Sequence, residues 1–280
     1  MRHFLPAVLA AAICSAQIQQ DWNKPIPPHK VVSNVYYVGT NFLASYLITT
    51  PEGHIVINPS YEESVPLIQA SIEKLGYKFS DVKILLISHA HDDHCAGAAK
   101  FKQLSGAKLM VMDADVPVVE AGGKGDFNYA NQRWTPVKVD RTLHDGDEVK
   151  LGGVTLTARL TAGHTKGCTT WTWSATDGGK SYNVVVVGSP NVNPGFKLVN
   201  NPSYPAIATD YARMFRVLKS LPCDVFLGAH GAYYGMDEKL KHAGAGQPNP
   251  WVDPDGYKKF VADKEVEFRG KLAEQNKAGR

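Results

Sequence analysis

The segment LLISHAHDDHCAG, residues 85–97, carries most of the information about fold and chemistry in this sequence. An apolar run ends abruptly in three histidines and two aspartates within the six residues from His89 to His94. The apolar part predicts a strand that is buried on both faces. So many titratable groups are costly to bury unless a cation compensates them. The segment therefore predicts a buried strand that presents metal ligands at its end.

Spacing divides the ligands of this segment into two groups. In an extended segment, side chains two positions apart point the same way, so His89 and His91 can bind one ion from one side. A turn into the following helix would redirect Asp93 and His94 together, and they suit a second ion beside the first. Neutral imidazole and carboxylate are ligand types that zinc accepts. The alternative for this segment alone is an exposed polar loop without metal.

Two later histidines share this setting and argue against the exposed loop. The stretch LTAGHTKG places His164 between two predicted strands, and VFLGAHGAY places His230 directly after an apolar strand. The six candidates are enough for two sites of three ligands that each keep an open position, as catalytic zinc sites do. The remaining histidines lack this setting and are interpreted as having no metal role: His3, His29, His54, His144 and His242.

The order of predicted elements indicates an α/β chain. Strands, a helix, a strand and a helix are followed by a second series of the same kind, which predicts two halves, each a sheet covered by helices. This mix suggests a four-layer αβ/βα sandwich, whereas the periodicity alone supports only an α/β or α+β fold. The predicted strands are 31–38, 43–49, 54–58, 82–88, 107–112, 147–151, 154–160, 169–175, 182–188 and 223–228, and the predicted helices are 62–75, 97–104, 206–220 and 256–275. The net charge of +3 does not by itself indicate a nucleic-acid partner.

The N-terminal stretch MRHFLPAVLAAAICSAQ combines a basic start, an apolar run and small residues up to Ala16. This pattern predicts a secretory signal peptide over residues 1–16, followed by one domain over residues 17–280. The apolar run is too short to span a bilayer, so we expect periplasmic export without a stable membrane anchor. A lipid anchor at Cys14 is the alternative, which the preceding Ile13 disfavours.

The ligand pattern resembles that of the metallo-β-lactamase superfamily over nearly the whole exported chain. H-x-H-x-D-H at residues 89–94, GHT with His164 and a late AH with His230 carry this resemblance. Within the superfamily, the histidine at position 94 and the segments GCTTWTW and GSPNVNPGFKLVNNPSYPAIATDY resemble the class B β-lactamases of subclass B3. Many other hydrolases of the superfamily have a bridging aspartate where this chain has Ser189.

This resemblance implies that a metal-bound hydroxide hydrolyses the β-lactam amide of penicillins, cephalosporins and carbapenems, with two Zn²⁺ as cofactors. It implies a first zinc on His89, His91 and His164 and a second zinc on Asp93, His94 and His230. Asp93 would also orient the hydroxide as a catalytic group, and Ser189 and Asn193 would bind the substrate. The glycine-rich segment 122–136, with Phe127, Tyr129 and Trp134, would be a flap over it. We expect a monomer that binds no nucleic acid.

The chain departs from the superfamily pattern at three positions. Asn58 stands where many members have an aspartate, and we expect it to accept a hydrogen bond from a ligand imidazole. Cys223 stands where some relatives have half of a disulfide, but the segment DPDGYKKF contains no partner, so we predict that this bridge is absent. Cys95 follows a ligand and is interpreted as an inert core thiol. With Cys168, these cysteines allow at most one disulfide.

Two other functions are compatible with the same residues. The first is a different hydrolase of this fold, such as a lactonase or a thioesterase. The second is an exported zinc-binding protein without catalysis, which would require filled coordination spheres. A ribonuclease is disfavoured because the chain is only mildly basic and contains no evident nucleic-acid module.

Overall fold

The computed structural model of the chain describes residues 22–244 and 248–278, so the predicted signal peptide lies outside the described residues. The strands are β1 (His29–Val32), β2 (Val35–Tyr37), β3 (Tyr46–Thr50), β4 (Gly53–Ile57), β5 (Val82–Leu86), β6 (Lys108–Met112), β7 (Arg141–Leu143), β8 (Glu148–Leu151), β9 (Val154–Leu160), β10 (Thr169–Asp177), β11 (Lys180–Val187) and β12 (Val225–Gly228). The α-helices are α1 (Ser64–Lys74), α2 (Asp92–Cys95), α3 (Ala98–Ser105), α4 (Val116–Glu120), α5 (Ile207–Ser220), α6 (Met236–His242) and α7 (Pro254–Ala278).

The first sheet contains seven strands in the order β1 to β7. The pairs from β1 to β4 are antiparallel, and those from β4 to β7 are parallel. Successive residues of β5 point to opposite faces, so Leu85 joins a cluster with Ile68 of α1 and Phe101 of α3, while Ile84 and Leu86 join the other core cluster. One face of this sheet is therefore covered by helices and the other is buried inside the molecule.

The second sheet contains five strands in the order β12-β11-β10-β9-β8. Trp171 and Val186 from this sheet share one core cluster with Ile84 of the first sheet. On the outer side, the ring of Phe226 in β12 contacts the rings of Tyr257 and Phe260 in α7. Helices therefore cover both sheets, and the predicted four-layer sandwich is confirmed.

Three local features differ from the sequence prediction, and the first is the short strand β7, which was not predicted. The predicted strand 31–38 is a hairpin of β1 and β2, because Ser33 adopts a left-handed backbone conformation (φ 51°) that turns the chain. The helices α4 and α6 were not predicted, since each is too short for its apolar residues to show a helical repeat.

No helix within residues 22–244 and 248–278 is both long and apolar enough to cross a membrane.

The layers bring the ends of three strands together. Thr169, at the start of β10, donates its backbone N–H to the carbonyl oxygen of Ser88 at 2.7 Å, just beyond β5. The indole Nε1 of Trp171 donates to the carbonyl oxygen of Ile87 at 3.0 Å, and the backbone N–H of Ala229 donates to Val187 at 2.9 Å. The segments that contain His89, His164 and His230 therefore meet at one edge of the sandwich.

Because of the hydrogen bond between Trp171 and Ile87, we expect replacement of Trp171 to lower the stability of the protein more than replacement of Trp173. Trp171→Phe leaves the buried Ile87 carbonyl without this donor, and we expect it to lower the free energy of unfolding by about 1–3 kcal/mol beyond the packing loss. Trp173→Phe removes a buried indole N–H that has no hydrogen-bond partner among the described residues. It should therefore cost less, as measured by urea unfolding of both variants. Equal losses would contradict this assignment.

Candidate active site

The backbone changes from extended to helical within the residue 89–94 segment. His91 is extended (φ −112°, ψ 156°) and directly precedes α2, which contains Asp93 and His94. The rings of His89 and His91 lie 4.9 Å apart, and both lie 4.8 Å from the ring of His164, measured between centroids. The extended part therefore presents two imidazoles to a third one, as the spacing predicted.

The first group consists of His89, His91 and His164. One nitrogen from each ring lies within 4.8 Å of the others, and all three residues are buried. His164 donates from Nδ1 to the carbonyl oxygen of Asn191 at 2.8 Å, which leaves the Nε2 lone pair free to bind a cation. Burial and neighbouring imidazoles lower the pKa of His89 and of His164 well below the usual value. These rings are therefore neutral, the state that binds metals.

The second group consists of Asp93, His94 and His230. Nε2 of His94 lies 3.1 Å from Nε2 of His230 and also 3.1 Å from a carboxylate oxygen of Asp93. The same carboxylate oxygen lies 3.5 Å from Nε2 of His230. Burial alone would raise the pKa of Asp93, but the imidazoles of His94 and His230 lower it below its usual range. Burial and the proximity of His94 lower the pKa of His230 to about 4. The group thus offers one carboxylate and two imidazoles, a donor set suited to zinc.

Both groups open into one cavity of about 350 Å³. Its walls are largely aromatic, and its polar groups converge on the two metal-binding groups, a composition typical of small-molecule sites. Beside the six predicted ligands, the cavity is lined by Trp22, Phe42, Tyr61, Asp92, Tyr129, Gln132, Asn191, Asn193, Ala232 and Tyr233. The pattern of the sequence did not reveal Phe42, which lies on a distant segment. Tyr233, three residues after His230, could have been noticed from its spacing.

The two predicted substrate contacts occupy different positions. Asn193 lines the cavity and donates its side-chain N–H to the hydroxyl of Tyr129 at 2.7 Å. Ser189 is buried behind the wall, where its hydroxyl lies 3.1 Å from the hydroxyl of Tyr233. The Tyr233 hydroxyl also accepts a hydrogen bond from Asn191 at 2.9 Å. Ser189 is therefore connected to the cavity through Tyr233.

The predicted flap, residues 122–136, is irregular over most of its length and contacts the first group. The ring of Tyr129 lies 4.9 Å from that of His91 at a steep angle. The carboxylate of Asp126 accepts the backbone N–H groups of Asn128 and Tyr129, and its other oxygen lies 3.6 Å from Nε2 of His91. Trp134 packs instead against the helix-covered face of the first sheet. Only part of the segment therefore borders the cavity.

The contacts of Asn58 differ from the expectation. Its carbonyl oxygen accepts the backbone N–H of Ser88 at 2.7 Å, so its amide nitrogen, not its oxygen, faces Nδ1 of His94 at 3.4 Å. The same nitrogen donates to the carbonyl oxygen of Ala44 at 3.3 Å. A His94 that binds a cation through Nε2 carries its hydrogen on Nδ1, and this hydrogen would then point at a donor. The expectation that Asn58 accepts a bond from the imidazole was therefore wrong.

The three cysteines of the described residues are free thiols, and Cys95 and Cys168 are buried. Burial, reinforced by nearby carboxylates that include Asp115, raises the pKa of Cys95 well above its usual value. Cys95 is therefore a protonated thiol within the core, as interpreted from the sequence.

A family model and solved structures of known proteins assign this chain to the same superfamily. The family model of the metallo-β-lactamase superfamily matches residues 38–230. The native FEZ-1 metallo-β-lactamase from Legionella gormanii is 53% identical, with a TM-score of 0.89 over 91% of this chain and 98% of that one. BJP-1, a subclass B3 metallo-β-lactamase of Bradyrhizobium japonicum, is 36% identical, with a TM-score of 0.87 over 94% of this chain and 99% of that one.

Curated relatives match a shorter region. A hydroxyacylglutathione hydrolase of Rhodopseudomonas palustris (strain HaA2) is 30% identical over 121 residues, which are 43% of this chain and 39% of that protein. The chain thus matches well under half the length of this relative. The family model and the whole-chain matches to solved structures nevertheless agree with the site geometry. The chain belongs to the metallo-β-lactamase superfamily, and within it resembles the enzymes of subclass B3.

Proposed function

We propose that this protein hydrolyses the amide bond of β-lactam antibiotics with two zinc ions. The difference between two comparisons carries the proposal. The similarity to the FEZ-1 metallo-β-lactamase extends over 91% of the chain at 53% identity, whereas the similarity to a hydroxyacylglutathione hydrolase extends over 43% at 30% identity. Ser189 supports the same choice, because it stands where many other hydrolases of the superfamily have a bridging aspartate.

The donor sets fit two zinc ions. The first group would bind one ion through three imidazoles, and the second group would bind the other through the Asp93 carboxylate and two imidazoles. Three protein ligands leave an open position on each ion, as catalytic zinc sites require. When bound, zinc lowers the pKa of a coordinated water to about 7 and polarises a carbonyl oxygen.

Side chains of the cavity would orient the reactants. The Asp93 carboxylate remains ionised and can accept a hydrogen bond from the attacking water, which orients that water. Burial raises the pKa of Tyr233, so its hydroxyl stays protonated at the cavity wall and can donate to a substrate oxygen. Asn193 would contact the substrate directly, and Ser189 would position the Tyr233 hydroxyl.

A different substrate for the same fold is the second candidate function. The curated relatives named hydroxyacylglutathione hydrolase favour a thioester, and a lactone would suit the same chemistry. Hydrolysis rates measured side by side for a carbapenem, an acyl-homoserine lactone and a glutathione thioester distinguish the three substrate classes. We expect the carbapenem to have the highest kcat/KM. A zinc-binding protein without catalysis would turn over none of the three substrates while retaining its metal.

We also propose that residues 1–16 direct export to the periplasm, where the remaining chain works as a monomer without a membrane anchor or nucleic acid. Expression of the full chain in a Gram-negative host tests the proposed export and the cleavage after residue 16. We expect the periplasmic protein to begin at Gln17, as measured by intact mass. A periplasmic protein that retains its first residues, or a chain confined to the cytoplasm, would contradict this proposal.

The role of Asp93 predicts a specific loss of activity. Asp93→Ala removes both a proposed zinc ligand and the carboxylate that orients water, so we expect kcat/KM for a carbapenem to fall at least about 100-fold while the circular dichroism spectrum is retained. Asp92→Asn neutralises the adjacent carboxylate, which is not a proposed ligand, but keeps an oxygen that can accept the backbone N–H of Asp93, and it should lose far less. Unchanged hydrolysis by Asp93→Ala would exclude the assignment.

The orientation of Asn58 predicts an effect on the second zinc. Asn58→Asp places a carboxylate oxygen against the Nδ1 hydrogen of His94, and we expect the second zinc to bind about 10-fold more tightly in a chelator competition. The metal-free variant should unfold more easily, because a buried carboxylate would face the Ala44 carbonyl. Asn58→Ala removes the contacts with Ser88, Ala44 and His94 together and shows the effect of losing the side chain without adding a charge. Equal or weaker zinc binding by Asn58→Asp would contradict this prediction.

A further inference from the structure

We propose that Asp115, which lies outside the six predicted ligands, is a positioning residue that holds the first histidine group in metal-binding geometry. It does so by linking the two chain segments from which that group is built. This inference rests on the proposed zinc site and adds to it a residue that neither the sequence motif nor the cavity lining contains.

Asp115 ends a short 3₁₀ helix that follows β6 and points between the two segments. One carboxylate oxygen accepts the backbone N–H of Ala90 at 2.9 Å and the hydroxyl of Thr165 at 2.8 Å. The other oxygen accepts the backbone N–H of Gly167 at 2.7 Å. Ala90 lies between His89 and His91, and Thr165 directly follows His164. Each of the two segments is therefore held beside the ligands that it contributes.

The carboxylate of Asp115 is almost completely buried, so its hydrogen bonds must replace the water that an exposed carboxylate would contact. Only 2% of Asp115 is exposed, so its charge depends on these bonds rather than on water. The backbone at Gly167 passes so close that a Cβ atom there would lie 2.6 Å from the Asp115 backbone nitrogen and 2.7 Å from its carboxyl carbon. The two segments thus close tightly around one side chain. A small displacement of that side chain would move the imidazoles of both segments.

The charge of Asp115 also favours a cation in the first group. Burial raises the pKa of this carboxyl group overall, although the bonds from Thr165, Gly167 and Ala90 and the proximity of His91 act in the opposite direction. A divalent ion on the neighbouring imidazoles would add an attraction that acts only in the metal-bound state. Asp115 therefore couples the position of the ligands to the binding of the metal.

Asp115→Asn tests the linkage in the full-length exported protein. The amide preserves the shape of the side chain but brings an N–H group against one of the backbone N–H donors. We expect the zinc affinity of the first site to fall by about 10–100-fold, with a much smaller change at the second site. The readouts are a chelator competition and the visible spectrum of the cobalt-substituted protein, which reports ligand geometry. Asp113→Asn, on the exposed side of the same short helix, is the matched control and should bind zinc like the wild type.

A second pair of variants leaves the charge of Asp115 in place. Thr165→Val removes one bond to the carboxylate, and Thr165→Ser keeps it. We expect several-fold weaker first-site binding for the valine variant and near-normal binding for the serine variant. This pair decides the question if Asp115→Asn does not fold, because it changes only one surrounding donor.

Two results would overturn the proposal. One is a folded Asp115→Asn variant with wild-type first-site affinity and an unchanged cobalt spectrum. The other is equal zinc affinity for Thr165→Val and Thr165→Ser. Because the readout is metal affinity and not turnover, a wild-type protein that binds zinc but hydrolyses no β-lactam would contradict the proposed function alone.

Discussion

Nitrogen and oxygen atoms of the second group lie only 3.1–3.5 Å apart at the edge of a tightly packed core. The adjacent rings of the first group cannot all be protonated to imidazolium, because burial and mutual repulsion oppose it. Neutral imidazoles beside an ionised carboxylate are a donor set suited to divalent cations. Much of the fold can be understood as a scaffold that brings three distant segments to this point. The strand ends supply the ligands, and the bonds between the sheets hold those ends in place.

Much of this arrangement could be predicted from the sequence, because ligand-type residues at strand ends give a strong local signal. The apolar run before His89 and the glycine-flanked His164 predicted both the strands and their meeting point. The order of the elements suggested the four-layer architecture, whereas their periodicity alone supported only an α/β or α+β fold. The hairpin at Ser33 was missed because the apolar residues on either side of it concealed a turn.

The contacts that tune the site were less accessible from sequence. Asn58 could be recognised as a departure, but the direction of its amide depends on the Ser88 N–H, a partner thirty residues away. Asp115 carries no motif, and its importance emerges only when Ala90, Thr165 and Gly167 surround it. Such contacts join residues that are far apart in the chain, and no local pattern reports them. In the proposed zinc site they would determine how firmly each ligand is held.

The proposed function requires six side chains from separate segments to bind a pair of zinc ions. Diffraction from crystals of the zinc-loaded protein, measured on both sides of the zinc absorption edge, would locate these ions. We expect two anomalous peaks, one in contact with His89, His91 and His164 and the other with Asp93, His94 and His230. A single peak, or peaks away from these side chains, would contradict it.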